Sequence, residues 1–259
     1  MWQVPVIIAM LVLVIGGSVV FIFTRPQAPT DRFEYFLYSN FKALLYFRVF
    51  CVLYYLVMLI NQFIESGIAM YEFYTLWNFT LQFVYFVWVT TYQYSHRHSS
   101  TIPILMAKQY KRLNTLFDVA IVDSILVMVV FWGILYSPTL SFSWLAPFEH
   151  GVNTLLLLME FVLNPFLIQR SSIVYASFLW PGAFAVFAWI AHDWWMHKWV
   201  YPFLNISKPS SPAWYAGMII GHCVFFALCI GLSKVKNHFK PPTVLATTSP
   251  SSVAAFDKI

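Results

Sequence analysis

Long apolar stretches are the feature that most limits what this chain can fold into. Residues 4–23 contain no charged side chain, and a helix needs about 20 consecutive apolar residues to cross the hydrocarbon core of a bilayer. Six further stretches follow, at about residues 44–63, 73–91, 116–136, 150–168, 173–191 and 213–232. Only 10% of the residues are charged, against roughly 25% in soluble domains. The sequence therefore predicts an all-α integral membrane protein, a polytopic bundle of about seven transmembrane helices.

The positions of the basic residues predict the orientation of this bundle. If the N-terminus is outside, all but two of the 15 Lys and Arg residues lie on the cytoplasmic side, the exceptions being Lys198 and Lys208. Cytoplasmic loops carry such an excess of basic residues, so we expect a cytoplasmic C-terminus, in either the endoplasmic reticulum or the plasma membrane.

The chain divides into three parts on the same grounds. Residues 1–40 form the first span and its linker, and residues 41–240 form a core of six spans. Residues 241–259 are rich in Pro, Ser and Thr, which predicts a disordered cytoplasmic tail.

Charge and spacing exclude several function classes. The net charge is +5, but the basic residues are scattered at the ends of apolar runs, so we expect no nucleic-acid partner. The three cysteines lie inside apolar runs and predict neither a disulfide framework nor a metal site. His192 and His197 are five residues apart, a poor spacing for one helix face, and with the tryptophans beside them they predict an interfacial aromatic belt. His222 has no second histidine at matching depth to form a haem pair, so we expect no cofactor.

A polar stripe interrupts the third apolar stretch. Thr75, Asn78 and Gln82 recur at positions i, i+3 and i+7, so on a helix they share one face. Polar groups in a bilayer need hydrogen-bond partners, and this face therefore points into the protein. The stripe serves either hydrogen bonding between helices or a site.

Other polar side chains fall at the same predicted depth as Thr75. Four lie at span ends on the predicted outer face: His150, Asn153, His192 and Asp193. A threonine hydroxyl beside an imidazole base is the minimum for nucleophilic acyl transfer, and an amide such as Asn78 or Asn153 could hold the developing oxyanion. Alternatively, these residues cap helix starts and bind each other or water.

Few charged side chains lie within the apolar stretches. Asp123 and Glu160 are candidates for function because carboxyl groups at membrane depth are rare. A protonated carboxyl that hydrogen-bonds a neighbouring helix is the interpretation we favour, since no run of acids or histidines outlines a proton path. Arg48 lies near the start of the second stretch, and we expect it to snorkel to the interface.

Three motifs carry a resemblance to a known family. They are YTLWNFTLQ at residues 74–82, EHGVNTLLLLME at 149–160 and WVYPFL at 199–204. In order and spacing they resemble the androgen-induced membrane hydrolases and the rolling stone proteins, over about residues 40–240. The resemblance implies a polytopic membrane fold and, in the hydrolase branch, cleavage of lipid esters of hydroxy fatty acids by a threonine nucleophile, which falls on Thr75.

One departure from the hydrolase pattern divides the functional interpretation. The hydrolase branch pairs its threonine with the second histidine of Asn-His-x-x-His-Thr, and that position holds Asn153 here. His150, one turn away, or His192 would have to act as the base. Asn153, the leucine run and Glu160 look more like the rolling stone branch, which is associated with cell fusion and has no established chemistry.

Three hypotheses follow. The protein is a Thr75-dependent lipid-ester hydrolase, or a non-catalytic membrane module that binds lipid or a partner helix, or an accessory subunit of a larger membrane assembly. The expected partners are membrane lipids and, in the last two cases, other membrane proteins.

Overall fold

A computed structural model of the protein describes residues 2–25, 41–96, 104–137 and 144–239. Every regular element in these ranges is helical, as the apolar stretches predict. The predicted disordered tail, residues 241–259, and most of the linker that ends the segment 1–40 lie outside the described residues.

Seven α-helices lie in the described ranges. Their bounds are α1 Gln3–Thr24, α2 Phe41–Ser66, α3 Tyr74–Ser95, α4 Ile104–Val130, α5 Asn153–Leu163, α6 Trp180–Ala191 and α7 Ser211–His238. π-helical segments extend α4, α5 and α6, at Phe131–Leu135, Phe148–Val152, Val174–Leu179 and His192–Met196. Short 3₁₀ turns occur at Gly67–Glu72, Arg170–Ser172 and Pro202–Leu204.

Five helical stretches in the described residues are long and apolar enough to cross a membrane. They are Gln3–Thr24, Lys42–Glu72, Lys108–Leu135, Arg170–Met196 and Ser211–His238. The other two helices fall outside this set for different reasons: α3 has 22 residues but carries the polar stripe, and α5 has only 11 residues. These helices are compatible with a membrane protein, whereas the count of seven spans stays a prediction.

The fifth apolar stretch is α-helical only as far as Leu163, and the prediction that it continues to residue 168 is wrong. Pro165 disfavours helical geometry at Asn164, which is extended with φ −86° and ψ 165°. The Asn164 side chain accepts the Phe166 N–H at 3.0 Å. Lys236 on α7 donates to the carbonyl oxygens of Asn164 and Phe166 at 2.7 and 2.8 Å, so α7 holds the turn that ends α5.

The fourth helix forms the centre of the bundle and the first helix its periphery. In the most apolar 18-residue stretch of α4, 61% of the residues are buried within the protein, against 11% in the corresponding stretch of α1. α4 packs against α3, α5 and α7, while α1 contacts α7, α6 and the π-helical segment before α6. Gly182 permits the close approach of α1, because a Cβ atom there would lie 2.9 Å from Ile15 Cγ1.

Around residues 160–172 lies a group of buried polar side chains that we call the paired end of the bundle. Arg48 and Glu160 are almost fully buried there, with their closest N and O atoms 2.5 Å apart. Arg48 Nη1 also donates to Gln93 Oε1 at 2.8 Å, and the Tyr85 hydroxyl donates to Glu160 Oε1 at 2.8 Å. The prediction that Arg48 snorkels to the interface is therefore wrong, because Glu160 attracts its guanidinium into the protein.

Asp118 completes the paired end. Its carboxylate accepts hydrogen bonds from Asn114 Nδ2 at 2.9 Å, the Gln169 N–H at 3.0 Å and the Ser172 hydroxyl at 2.5 Å. Buried charges are tolerated where their remaining lone pairs are satisfied in this way. These contacts join α4 to the segment between α5 and α6.

Candidate functional site

A cavity of about 590 Å³ lies at the other end of the bundle, which we call the cavity end. It is bordered by the starts of α3 and α7, the end of α2 and of α4, the π-helical segment before α5, the middle of α1, the beginning of α6 and the loop at residues 200–204. Its volume falls within the range of about 300–1,000 Å³ that is usual for small-molecule sites.

The cavity walls are mostly apolar. The side chains that give them this character include Leu11, Leu126, Val130, Phe184, Ala185 and Met218. α1 contributes Leu11 and Val14, so the first helix is part of the wall although it lies outside the region of family resemblance. Such walls favour an apolar ligand chain over a charged or strongly hydrated ligand.

Thr75 lies on the cavity wall as the second residue of α3. The residue before this helix, Phe73, has no side chain that can cap it, and the hydroxyl of the distant Tyr201 accepts the Tyr74 N–H at 3.0 Å instead. The side chain and N–H of Thr75 face the same hydroxyl. A helix start needs acceptors for its first N–H groups, and Tyr201 supplies one at the position of the candidate nucleophile.

Tyr201 remains protonated in this position. It lies in the loop that connects the apolar stretches Arg170–Met196 and Ser211–His238. Burial raises the pKa of Tyr201 to about 12, although the hydrogen bonds from the start of α3 lower it. Tyr201 was part of the motif WVYPFL, but nothing in the sequence pattern indicated that its hydroxyl contacts Thr75.

His150 lies on the same cavity wall, in the π-helical segment before α5. Its ring stacks on Phe131 with the centroids 3.6 Å apart and the planes 7° from parallel. Its Nδ1 atom is buried and has no hydrogen-bond partner in the protein. The Trp132 Nε1 donates to the His150 carbonyl at 3.0 Å, so both its backbone and its ring are held by the end of α4.

The structure therefore brings Thr75 and His150 to one cavity, although no hydrogen bond joins these two residues. Depth in the bundle could be predicted from helical periodicity and charge, but the lateral packing of α3 against the start of α5 could not. Three segments that line the cavity are π-helical, at residues 131–135, 148–152 and 174–179. π-Helical turns are rare and occur frequently at functional sites.

The amides of the predicted stripe lie behind the cavity wall. Asn78, Gln82 and Asn153 are almost fully buried and do not line the cavity. Both polar atoms of the Asn78 side chain, Gln82 Nε2 and Asn153 Oδ1 have no hydrogen-bond partner in the protein. Tyr55 lies between them, and its hydroxyl donates to Gln82 Oε1 at 2.5 Å.

Asp123 joins a buried cluster with Tyr74 and His222. The Tyr74 hydroxyl donates to Asp123 Oδ1 at 3.0 Å, and His222 Nε2 lies 3.3 Å from the same oxygen. His222 Nδ1 lies 2.7 Å from the Met218 carbonyl oxygen, so both ring nitrogens are engaged. The cluster ties the residue before Thr75 to α4 and α7, and it favours a role for Asp123 in holding helices together.

The remaining predicted site residues are not at the cavity. His192 stacks on Trp199 with centroids 4.1 Å apart, and its Nδ1 lies 2.8 Å from Asp193 Oδ1. Asp193 is 75% exposed, and Glu160 belongs to the paired end. None of the three lines the cavity with Thr75.

Glu149 is an acid of the cavity wall that the sequence analysis did not select as a site residue. It precedes His150, lies outside the five apolar helices, and accepts a hydrogen bond from Gln62 Nε2 on α2. Burial raises the pKa of Glu149 to about 7, which the Gln62 hydrogen bond partly opposes. The only sequence feature that could have identified Glu149 is its position next to His150 in the motif EHGVNTLLLLME.

Comparison of the chain with protein-family models, with curated protein sequences and with solved structures finds no match.

Proposed function

We propose that the protein binds a lipid ester in this cavity and cleaves it with Thr75 as nucleophile and His150 as base. The observation that carries the proposal is the position of these two side chains on the wall of one largely apolar cavity. The resemblance of three motifs to the androgen-induced hydrolases and rolling stone proteins supports it, since the threonine nucleophile of the hydrolase branch would fall on Thr75.

The chemistry assigns a separate task to each side chain. The Thr75 hydroxyl attacks the ester carbonyl while His150 accepts its proton. The bond from the carbonyl carbon to the alkoxy oxygen then breaks, His150 gives the proton to that oxygen, and the alcohol half of the ester leaves. Tyr201, protonated and adjacent to Thr75, can donate a hydrogen bond to the oxyanion that develops. His150 and Thr75 are not hydrogen-bonded to each other without ligand, and such contacts often form only in the complex with substrate.

The apolar walls would contact the acyl chain of the lipid ester. An acyl chain in contact with α1, α4 and α6 gains about 0.8 kcal/mol per buried CH₂ group relative to water. Much of this gain is absent when the chain comes from the bilayer, so affinity depends mainly on shape and on the polar contacts at the Thr75 end.

Labelling of purified protein with a fluorophosphonate or lipid-ester probe tests this proposal. We expect wild type and Thr75→Ser to be labelled, and Thr75→Ala and His150→Ala not to be. Thr90→Ala is the matched control, because Thr90 lies on the same helix but its hydroxyl bonds the Phe86 carbonyl at 2.5 Å, away from the cavity. Equal labelling of Thr75→Ala and wild type would remove Thr75 as nucleophile.

The second candidate function is lipid binding without cleavage. Asn153 stands where the hydrolase branch has its base, and Thr75 and His150 make no direct hydrogen bond, both of which favour a binding module such as the rolling stone branch or an accessory subunit. In that case, native mass spectrometry finds an intact lipid ester on the wild-type protein, and Thr75→Ala retains it equally.

We also propose a seven-span topology with the cavity end outside and the C-terminus in the cytoplasm. The distribution of basic residues supports it, and either the endoplasmic reticulum or the plasma membrane fits. Impermeant thiol labelling of single cysteines placed at Asn205 and His238 tests the orientation. Only the cysteine at Asn205 should react from the outer or lumenal side.

A further inference from the structure

We infer that buried polar atoms of α3, of α5 and of the π-helical segment before α5 form a binding site for water, which supplies the water molecule for the second half of ester hydrolysis. The presence of such a site is inferred from the unpaired polar atoms. Its role rests on the proposed function, because only a hydrolase with a covalent intermediate needs such a supply.

The site consists of buried polar atoms that have no hydrogen-bond partner in the part of the chain that the structure describes. They are Asn78 Oδ1, Asn78 Nδ2, Gln82 Nε2, Asn153 Oδ1 and His150 Nδ1. Buried polar groups are nearly always hydrogen-bonded, and within a bilayer no bulk solvent is present to provide the bonds. Donors and acceptors are both represented, so a molecule that can donate and accept is required.

Helical geometry places these atoms along one path. On α3, Thr75, Asn78 and Gln82 are separated by about one turn each. His150 lies in the π-helical segment before α5, three residues before Asn153, which begins α5. Thr75 and His150 face one cavity, which joins the two rows at one end.

Tyr55 joins the two rows at the other end. Its hydroxyl donates to Gln82 Oε1 at 2.5 Å and lies 3.4 Å from the Asn153 carbonyl oxygen. The polar atoms therefore extend from the candidate nucleophile toward Tyr55 on α2, the helix that contacts both α3 and α5.

Size selects water as the occupant. Asn78, Gln82 and Asn153 do not border the cavity and are at most 1% exposed, so the space beside them cannot admit a lipid headgroup. A water molecule needs only a cavity of about one probe sphere and 2–4 polar partners. Five unpaired atoms on three amides and one imidazole can supply polar partners in this number.

The chemistry explains why such a site would matter. A lipid that fills the apolar cavity excludes solvent from Thr75, yet acyl-Thr75 must react with water. The oxygen of that water attacks the acyl carbonyl carbon, and His150 accepts one of its protons. The bond from the carbonyl carbon to Thr75 Oγ1 then breaks, the proton passes to Oγ1, and the released carboxylic acid retains the second proton.

Hydroxyl-radical footprinting tests the site directly. X-ray pulses generate radicals from water held inside a protein, and these oxidise side chains beside it even when those side chains are buried. Tyr55 and Tyr85 are matched, since both are 0% exposed. The Tyr85 hydroxyl, however, lies in the paired end, where it bonds Glu160 at 2.8 Å.

In full-length protein in nanodiscs we expect Tyr55 to be oxidised on the order of tenfold faster than Tyr85, because ordered water adjoins only the former. Asn78→Leu, which removes two of the five polar atoms at similar volume, should slow Tyr55 oxidation and leave that of Tyr85 unchanged. Equal, slow oxidation of both tyrosines in wild type would overturn the inference and show that the amides pair directly with one another.

The same samples separate this inference from the proposed function. Rapid Tyr55 oxidation in a protein that never becomes acylated at Thr75 would keep the water site and remove its hydrolytic role. Acylation at Thr75 followed by release that Asn78→Leu does not slow would also remove that role. If both hold, acyl-Thr75 should accumulate in Asn78→Leu at the expense of free acid.

Discussion

The two ends of the bundle differ in whether their buried polar groups are hydrogen-bonded. At the paired end, the Arg48 guanidinium and the Glu160 and Asp118 carboxylates each have several hydrogen-bond partners. At the cavity end, His150 Nδ1 and the Asn78 amide have none among the described residues. The same chain can satisfy its buried polar atoms, so the unsatisfied ones mark the region that is open to other molecules.

This difference separates stability from function. Satisfied polar networks make an arrangement of helices unique, whereas unsatisfied groups lower stability and are tolerated where they bind or react. Substitutions at the paired end should therefore change mainly the free energy of unfolding, and those at the cavity end mainly activity or ligand binding.

The largest effect is expected at the ion pair of the paired end. Arg48→Met leaves the Glu160 carboxylate buried without its cation, which should destabilise the protein by about 3–5 kcal/mol. Thermal unfolding in detergent, followed by tryptophan fluorescence, measures this. Arg48→Met combined with Glu160→Leu should regain most of the loss, and an unchanged unfolding temperature in the single variant would contradict the pairing.

Two tyrosines allow the two ends to be compared with the same chemical change. Tyr201→Phe removes the hydroxyl beside Thr75 and should lower kcat for ester cleavage by about 10²- to 10³-fold, the usual effect of losing one oxyanion donor. Tyr85→Phe removes a hydroxyl from the paired end and should lower stability by about 1–3 kcal/mol with turnover unchanged. A similar kcat in Tyr201→Phe and wild type would show that this hydroxyl only caps α3.

Glu149 should give the cavity end a dependence on pH. Its pKa is about 7 in the folded protein against 4.5 for the free side chain, so the favourable contribution present below the unfolded pKa is lost as the pH rises through 7. Between about pH 5 and pH 8 the wild type should lose up to about 3 kcal/mol relative to Glu149→Gln. The glutamine keeps the acceptor for Gln62, and parallel unfolding curves for both proteins at the two pH values would refute the burial of this carboxyl.

The smallest effect on stability is expected for a larger side chain that can extend into the cavity. Val14→Phe adds volume to the cavity wall and should change stability by less than about 1 kcal/mol, while Val122→Phe overpacks the core and should cost about 1–3 kcal/mol. Only Val14→Phe should weaken binding of long-chain lipid esters relative to short-chain ones, as measured by native mass spectrometry. Equal destabilisation by both would show that the Val14 site is as closely packed as the core.

Composition and periodicity predicted the helices and the depth of Thr75 and His150, because these depend on neighbours in the sequence. The end of α5 could also have been predicted, since a proline at position 165 disfavours a continuing helix. The apolar residues on both sides of Pro165 suggested one uninterrupted span instead. The pairing of Arg48 with Glu160 was not, because the two residues are 112 positions apart and only packing brings them together. The contact of Tyr201 with the start of α3 depends on packing in the same way.

The most direct test is to locate the acyl group after reaction with an activated lipid ester. Purified protein is quenched during turnover and digested, and the modified peptide is identified by mass spectrometry. If Thr75 is the nucleophile, the acyl group is found on Thr75 in wild type and is absent from Thr75→Val with an unchanged unfolding temperature. Hydrolysis without an adduct on Thr75, at a rate that Thr75→Val shares, would contradict the assignment of this cavity as a catalytic site.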